Sequence, residues 1–449
     1  MYSYLGLLWL SSLVASAAAS QPLILTPYIN ENKIQLARQL SSVDPSLFLG
    51  KESYSGFFNV DEQHNSNIFF WYFPVANKSV EKTPWLVWLQ GGPGASSLAG
   101  LFVEIGPFEY DPISGGMKER KYAWTKEYSI LFVDNPIGAG FSFTDSPEGF
   151  ARDIETCTTH LMEALSQFMK MFPELTHAPL YLAGESYAGV YVPKLALRIH
   201  RQDNVTKKLD VKIEGIILGT PLMDRISASN YSDTYFKWGL IDEQGVWAIR
   251  PLQYSYVAAL YREDAIAAYD IRPQLLDKLG NLSQKYQMYS VIKEITDDEL
   301  KWFVEILKDR RVKEALHVGS VKFTFSNRTS RNMLAPEFLI GGGPDTVALL
   351  DTYKVLIYCG NLDMLIPCVD GAHHRRETWS WSKVEEFNSS PRIPWMFNNN
   401  LAGYSKSGGH LTEVMVNKAG HLLPFDKPVF ILTLFYTEIC FYSFNIKKN

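Results

Sequence analysis

The chain has 449 residues, of which 46% are hydrophobic and 14% aromatic, enough to bury a large core in one or more domains. Its formal net charge of −5 at pH 7 excludes the broad electrostatic attraction to nucleic acid that strongly basic domains use. The cysteines and histidines show no zinc-type spacing, so we expect no metal site, and we interpret His373-His374 as a solvated polar turn.

The N-terminus has the pattern of a secretory signal peptide over residues 1–20. Residues 5–14 are mostly apolar and residues 15–20 are small, a stretch too short to span a bilayer and suited to cleavage. Export would expose the chain to glycosylation, and Asn-x-Ser/Thr sequons occur at Asn77, Asn204, Asn230, Asn281, Asn327 and Asn388. The sequence therefore predicts a glycosylated protein of the secretory pathway, either secreted or lysosomal.

Strand and helix patterns alternate through the first half of the chain. Residues 85–89 and 129–133 are continuous apolar runs, typical of strands in a sheet that is covered on both faces. Apolar residues recur at helical spacing between residues 152 and 172, and residues 213–218 form another strand-like run. This alternation predicts an α/β fold with a mixed, mostly parallel sheet flanked by helices.

A turn around a serine follows the apolar run at residues 178–183. Residues 184–189 read Gly-Glu-Ser-Tyr-Ala-Gly, which resembles the nucleophile elbow of α/β-hydrolases, although Ala188 stands where the strict pattern has glycine. A strand that turns sharply into a helix there would present the Ser186 hydroxyl at the edge of the sheet. The alternative is a small-residue turn without chemistry, and the downstream residues bear on that choice.

Two further candidates follow β-prone runs later in the chain. Asp363 lies in the loop after residues 354–358, and His421 lies in the loop after residues 412–416. A nucleophilic serine needs a base and an orienting carboxylate, and the order Ser, Asp, His is that of α/β-hydrolases. The sequence therefore predicts a catalytic triad of Ser186, Asp363 and His421 at one edge of the sheet.

The pattern between residues 224 and 345 differs, because helical runs and polar turns replace the strand–helix alternation. We predict a mainly helical cap over this range, inserted between two parts of the core, residues 21–223 and residues 346–449. The apolar stretch at residues 429–446 contains polar side chains, and we do not interpret it as a membrane span.

The cysteines do not define a disulfide framework. Cys359 and Cys368 flank the Asp363 loop and could form a bridge. Cys359 could equally be a small buried core residue, and the sequence leaves both possibilities open.

The motifs together resemble the serine carboxypeptidase family, and most closely its vitellogenic-like branch. The resemblance extends over residues 25–430 and is carried by residues 88–97 (WLQGGPGASS), 133–142 (VDNPIGAGFS), 184–189, 358–363 and 420–424 (GHLLP). It implies an α/β-hydrolase fold without a cofactor, and it assigns the catalytic roles to Ser186, Asp363 and His421. The ending after Pro428 does not match the last helix that is usual in the family.

The resemblance also implies two binding features beside the triad. The backbone N–H groups of Gly92 and Tyr187 would form an oxyanion hole, where a glycine avoids blocking the tetrahedral oxygen. The terminal carboxylate of a substrate would bind a group in which Gln90 replaces the usual Asn, and whose members are Gln90, Gly91, Glu104 and Glu185.

The sequence therefore predicts a serine-type carboxypeptidase that releases C-terminal amino acids from peptides and proteins through an acyl-enzyme at acidic pH. Its partners would be peptide or protein C-termini, without nucleic acid or membrane, and the enzyme would be a monomer or homodimer. Two alternatives remain: an acyltransferase of the same family using the same triad, or a catalytically idle glycosylated storage or binding protein.

Overall fold

The computed structural model describes residues 21–202, 208–285 and 287–440, so the predicted signal peptide and Asn204 lie outside the described residues. Its strands are β1 Tyr54–Asp61, β2 Ser66–Phe73, β3 Trp85–Leu89, β4 Phe108–Asp111, β5 Gly116–Glu119, β6 Ser129–Val133, β7 Pro179–Glu185, β8 Lys212–Gly219, β9 Lys354–Gly360, β10 Ile393–Phe397, β11 Asn400–Gly408 and β12 Leu411–Val416. Its α-helices are α1 Thr26–Asn30, α2 Ile34–Leu40, α3 Ile154–Met171, α4 Ala188–His200, α5 Tyr231–Lys237, α6 Glu243–Tyr261, α7 Ala265–Ser283, α8 Asp297–Lys308, α9 Arg310–Ala315, α10 Arg328–Met333, α11 Gly343–Leu349, α12 Cys368–Thr378, α13 Val384–Ser389, α14 Leu423–Asp426 and α15 Pro428–Cys440.

Ten of these strands form one sheet in the order β1-β2-β6-β3-β7-β8-β9-β12-β11-β10. The central strands, from β6 to β12 in this order, are parallel, and the antiparallel pairs lie at the two edges. The mixed, mostly parallel sheet of the predicted fold class is confirmed. Because the carboxyl ends of parallel strands meet at one edge, the loops after β7, β9 and β12 converge there.

The central strands are apolar throughout because each of their faces packs against a separate hydrophobic core. In β3, Trp85, Val87 and Leu89 belong to one core, whereas Leu86 and Trp88 belong to the other. Successive side chains of a strand point to opposite faces, so a continuous apolar run fills both cores. Truncating one such tryptophan to alanine typically costs about 3–5 kcal/mol.

The helices on the first core agree with the sequence pattern. Helix α3 begins after Asp153, whose carboxylate accepts a hydrogen bond from the backbone N–H of Thr156, and its apolar stripe is buried. Helix α4 follows the serine turn and contains Pro193. It is continuous from Ala188 to His200.

Helices α5 to α11 lie between β8 and β9, where the sequence predicts the inserted cap. Several of them share a third hydrophobic cluster, which includes Tyr235, Ile249, Leu275 and Phe338. Met364, from the loop after β9, also belongs to this cluster, so the helical segment packs on the loop that carries Asp363. The boundaries at residues 224 and 345 stay a prediction.

The C-terminal segment forms helix α15 as far as Cys440, although the sequence did not match the family's usual last helix here. Phe435 of this helix packs against Trp124, with ring centroids 3.9 Å apart, and against Tyr358 of β9. Within the part of the chain that the structure describes, no helix combines the length and the apolar character needed to cross a membrane.

Candidate active site

Ser186 occupies a strained turn between β7 and α4. Its φ of 64° is in the left-handed region, which non-glycine residues seldom adopt and which is typical of a nucleophile elbow. Its backbone N–H donates to the carbonyl of Gly219 at the end of β8, at 2.9 Å. A Cβ atom at Gly189 would lie 2.6 Å from Cβ of Pro221, whereas Ala188 is accommodated. The position at which close packing requires glycine is therefore residue 189, one residue after the position that the strict pattern gives.

Asp363 and His421 form a buried pair. His421 Nδ1 lies 2.8 Å from Asp363 Oδ2, and both side chains are almost fully buried. The other carboxylate oxygen of Asp363 accepts hydrogen bonds from the backbone N–H groups of Leu365 and Ile366, at 2.8 and 3.0 Å. These bonds fix the carboxylate, which holds the imidazole with a proton on Nδ1 and leaves Nε2 available as a base.

Two residues that the sequence analysis missed hold the backbone of His421. Its N–H donates to the carbonyl of Tyr289 at 2.6 Å, and its carbonyl accepts from the Thr220 hydroxyl at 3.1 Å. The Tyr289 ring also stacks on the imidazole, with centroids 5.9 Å apart. Neither contact has a sequence signal, because Tyr289 belongs to the helical insert and Thr220 to the loop after β8.

Ser186 and His421 line the same cavity, which has a volume of about 770 Å³. No hydrogen bond joins these two described side chains to each other in this structure. Such contacts are often long in the absence of substrate and shorten when substrate binds.

The loop after β3 lies directly against the serine turn. A Cβ atom at Gly91 would lie 2.5 Å from the backbone nitrogen of Tyr187, so only glycine permits this approach. The next residue, Gly92, has a φ of 113° and also lines the cavity. Within the described residues, the N–H groups of Gly92 and Tyr187 donate no hydrogen bond, so both remain available to a ligand.

A cluster of an amide and two carboxyl groups is buried on one side of Ser186. Gln90 Nε2 lies 3.3 Å from Glu104 Oε1 and 3.4 Å from Glu185 Oε1. Gln90 Oε1 accepts a hydrogen bond from the Trp88 indole at 3.0 Å, which fixes the orientation of the amide. The sequence-predicted residues Gln90, Gly91, Glu104 and Glu185 therefore all line the cavity that contains Ser186.

The two carboxyl groups of this cluster resist ionisation. Burial raises the pKa of Glu104, although hydrogen bonds involving Glu185 and Gln90 oppose the shift. Burial raises the pKa of Glu185 well above its ordinary range, and the neighbouring charge of Glu104 acts in the same direction. Oε2 of each carboxyl has no hydrogen-bond donor, which a shared proton would provide. One acid of the pair therefore stays protonated to unusually high pH.

A disulfide joins Cys359, the penultimate residue of strand β9, to Cys368 at the start of α12, so of the two possibilities that the sequence left open the structure has the bridge. It closes the short loop that contains Asp363. Cys157 is buried in the first core and is not bridged.

The histidine pair at residues 373–374 lies within helix α12, so our interpretation of it as a polar turn is wrong. Arg375 of this helix is buried and pairs with Glu413 of β12, with Nε and Oε1 2.5 Å apart. His373 and His374 contact Glu377 and Asp224. Among the described residues, no cluster of His, Cys, Asp and Glu side chains is arranged to hold a metal ion.

The predicted glycosylation sites differ in exposure. Asn77, Asn281 and Asn388 are exposed, whereas Asn230 and Asn327 are partly buried. The Asn327 amide donates to the carbonyl of Gly138 at 2.9 Å, and its oxygen caps helix α10. Of the five sites that the structure describes, these three are therefore the most accessible to a glycan.

Similarity to known proteins covers nearly the whole chain. A family model described as serine carboxypeptidase matches residues 45–439. The chain is 35% identical over 422 residues to the vitellogenic carboxypeptidase of Aedes aegypti, covering 91% of this chain and 88% of that protein. It is 33% identical over 423 residues to the probable serine carboxypeptidase CPVL of Homo sapiens, covering 92% of this chain and 88% of that protein.

The fold is likewise similar to a solved structure. The crystal structure of Kex1Δp, a prohormone-processing carboxypeptidase from Saccharomyces cerevisiae, has a TM-score of 0.77 at 23% identity, covering 89% of this chain and 96% of that chain. At this identity the similarity bears on the fold, which is an α/β-hydrolase fold. From the family match and the extent of the sequence identity, the chain belongs to the serine carboxypeptidase family.

Proposed function

We propose that the protein hydrolyses the last peptide bond of its substrates through an acyl-enzyme on Ser186. The Ser186 hydroxyl attacks the scissile carbonyl, and His421 Nε2 takes its proton. The same proton is then given to the leaving amino acid, and a water molecule activated by His421 hydrolyses the ester. Asp363 holds the imidazole tautomer and stabilises the imidazolium that forms in each step.

The N–H groups of Gly92 and Tyr187 would bind the oxyanion of the tetrahedral intermediate. Two donors without an internal acceptor, beside a nucleophile, support this assignment. Removing one donor from such a hole typically lowers kcat by about 10²–10³-fold.

The group of Gln90, Gly91, Glu104 and Glu185 would bind the terminal carboxylate of the substrate. A protonated glutamic acid can donate a hydrogen bond to that carboxylate, whereas an ionised one repels it. The raised pKa of Glu185 supports this role, because the proton is retained at mildly acidic pH. An acidic compartment of the secretory pathway, or an acidic extracellular space, would suit such an enzyme. In either place it would act on peptide or protein C-termini.

The observation that carries the proposal is the left-handed Ser186 in one cavity with a histidine that is paired to a buried aspartate. The test is labelling by a serine-directed phosphonate, combined with hydrolysis of a blocked dipeptide. Wild-type protein should be labelled at Ser186 and should release the terminal amino acid. Ser186→Ala should be unlabelled and should lose activity by on the order of 10⁶-fold. Labelling without any hydrolysis, or retention of more than about a thousandth of the activity in Ser186→Ala, would contradict the proposal.

A further inference from the structure

Two arginines line the cavity that contains the triad and have no role in the mechanism proposed above. Arg225 follows β8, three residues after Leu222, whose N–H donates to the carbonyl of Ser186 at 3.0 Å. Arg272, on α7, donates through Nη2 to the carbonyl of Leu365 at 3.5 Å, two residues after Asp363. Both arginines line the 770 Å³ cavity. The Arg272 guanidinium is therefore held next to the loop that carries Asp363, and the chain segment that leads to Arg225 is bonded to the serine turn.

Neither guanidinium is neutralised by a carboxylate. Arg225, which is 7% exposed, donates from Nε to the carbonyl of Phe338 and lies over the Phe338 ring, 3.5 Å from its centroid. Arg272 donates to the Tyr231 hydroxyl at 3.3 Å, and its other strong electrostatic neighbours are also tyrosines. Within the described part of the chain, no Asp or Glu lies at ion-pair distance from either guanidinium. The groups that the two guanidiniums contact are carbonyls, a hydroxyl and an aromatic ring, none of which carries a negative charge.

The other buried arginines show that this arrangement is unusual for the molecule. Arg375 pairs with Glu413 at 2.5 Å. Arg120 donates to three backbone carbonyls and lies 3.9 Å from Glu109. Burial lowers the pKa of Arg225, as it does that of Arg120, and at Arg225 the neighbouring charge of Arg272 acts in the same direction. A bound anion would relieve both effects, because a buried charge is stable only when it is paired.

The position of the pair indicates which part of a substrate it would contact. Glu185 immediately precedes Ser186 in the chain, and Tyr187 immediately follows it. Glu185 belongs to the buried acid cluster, whereas the Tyr187 hydroxyl has Arg225 as an electrostatic neighbour. If the acid cluster binds the leaving residue, as the proposed function requires, the arginine side of the cavity faces the residue that is acylated onto Ser186.

The carboxylates that line the cavity do not cancel this positive charge. Glu104 and Glu185 lie in the acid cluster beside Gln90, and Asp270 and Asp277 are exposed, where water screens their charge, whereas Arg225 is buried. An acidic side chain of a substrate that reached the arginines would thus leave water, which screens its charge, and accept hydrogen bonds from two guanidiniums held in place by the protein. Charge-assisted hydrogen bonds of this kind are the strong ones, and arginine forms them with two parallel donors.

We propose that Arg225 and Arg272 bind the side-chain carboxylate of the substrate residue whose carbonyl Ser186 attacks, so that the enzyme prefers Glu or Asp at the penultimate position. This inference rests on the proposed function, since it names the substrate class of the same site. A neutral isostere would leave both guanidiniums unpaired and would be hydrolysed less efficiently.

The test compares blocked dipeptides that share a C-terminal Leu and carry Glu, Gln or Leu at the penultimate position. At about pH 5.5 a free Glu side chain, with its ordinary pKa near 4.3, is ionised. The wild-type kcat/KM for the Glu peptide should exceed that for the Gln peptide by about 10- to 150-fold, the range for a hydrogen bond to a charged group. In Arg272→Gln this ratio should fall to near one.

The matched control is Arg328→Gln, which removes an exposed arginine from the same cavity and should leave the Glu-to-Gln ratio unchanged. If Arg272→Gln is inactive, a second experiment measures how two compounds inhibit the wild-type hydrolysis of the Leu peptide. The inference predicts that N-acetyl-glutamate inhibits more strongly than N-acetyl-glutamine. Equal wild-type values for the Glu and Gln peptides would overturn the inference. A Glu-to-Gln ratio that fell as far in Arg328→Gln as in Arg272→Gln would also overturn it. Failure to hydrolyse any of the peptides would instead refute the proposed function.

Discussion

At the scale of single residues, Gln90 shows how a longer side chain fits the group that we propose to bind the substrate carboxylate. The Trp88 indole holds the amide oxygen at 3.0 Å, so the amide nitrogen must point toward Glu104 and Glu185. This approach of the indole depends on Gly100, where a Cβ atom would lie 2.2 Å from Trp88 Nε1. The amide donor is thereby placed between the two acids, where a substrate carboxylate would compete for it.

Replacing Gln90 by Leu tests this role. The variant should lose about 10- to 150-fold in kcat/KM on a peptide with a free C-terminal carboxylate, because a hydrogen bond to a charged group is lost. Hydrolysis of the corresponding blocked ester should change much less. Gln90→Asn is the matched variant that retains the amide, and it should lose less than Gln90→Leu on the free peptide. Equal losses of Gln90→Leu on both substrates would show that Gln90 does not contact the carboxylate.

The residues that could be predicted from the sequence are those whose role follows from a local pattern. Ser186, Asp363 and His421 each follow a strand-like run, and parallel strands bring such positions to one sheet edge whatever the rest of the fold. Thr220 and Tyr289 could not be found in this way. They act through backbone contacts with His421 that exist only in the folded protein.

At the scale of elements, the loop from β9 to α12 is fixed at three points. The disulfide between Cys359 and Cys368 closes it, two backbone N–H groups hold the Asp363 carboxylate, and Met364 packs in the cluster of the helical insert. These restraints act on the residue that orients His421. Loosening the loop should therefore affect both stability and the rate of the chemical step.

The double substitution Cys359→Ala with Cys368→Ala should lower the free energy of unfolding by on the order of 2–3 kcal/mol, the loop-closure value for a ring of this size. Its kcat should fall more than its KM changes, since Asp363 orients the base and does not contact the substrate. Denaturant unfolding and steady-state kinetics measure the two effects. Cys157→Ala controls for loss of a buried sulfur without a bridge. A double variant no less stable than Cys157→Ala would contradict this account of the loop.

The helical insert is the element about which the sequence says least. Its helices could be recognised by their periodicity, but the way in which they pack against the sheet edge depends on long-range contacts. Arg225 and Arg272 are far apart in the chain, and the residues around each are ordinary for a turn or a helix. No local sequence pattern therefore indicates that the two arginines share a cavity. By contrast, the bounds of β3 and β6 agree with the predicted runs, because strands with two buried faces have a continuous apolar pattern.

At the scale of the whole molecule, the acid pair links stability to pH. Glu185 loses its proton near the ordinary pKa of 4.5 in the unfolded chain but keeps it to higher pH in the folded protein. The folded state therefore binds more protons between these two values. Stability from this group is fully present below the unfolded pKa and is lost as pH rises through the folded pKa.

The contribution of Glu185 to the free energy of unfolding should accordingly fall as pH rises above 4.5, so Glu185→Gln should gain stability relative to the wild type as pH rises. Urea unfolding at a series of pH values measures the slope. Glu385→Gln, at an exposed position on α13, is the control and should leave the slope unchanged. A Glu185→Gln slope equal to that of the wild type would show that the buried acid is not the source of the pH dependence.

The central claim is that a protonated acid pair recognises the substrate's terminal carboxylate while a separate triad performs the chemistry. The most direct test is a pair of kcat/KM profiles against pH, one for a peptide with a free C-terminus and one for its esterified counterpart. The free peptide should be hydrolysed best at mildly acidic pH, with efficiency declining as the proton on the pair is lost. The ester should continue to rise toward neutral pH, because its hydrolysis needs only neutral His421. Profiles that superimpose, or no hydrolysis of the free peptide at any pH, would contradict the account.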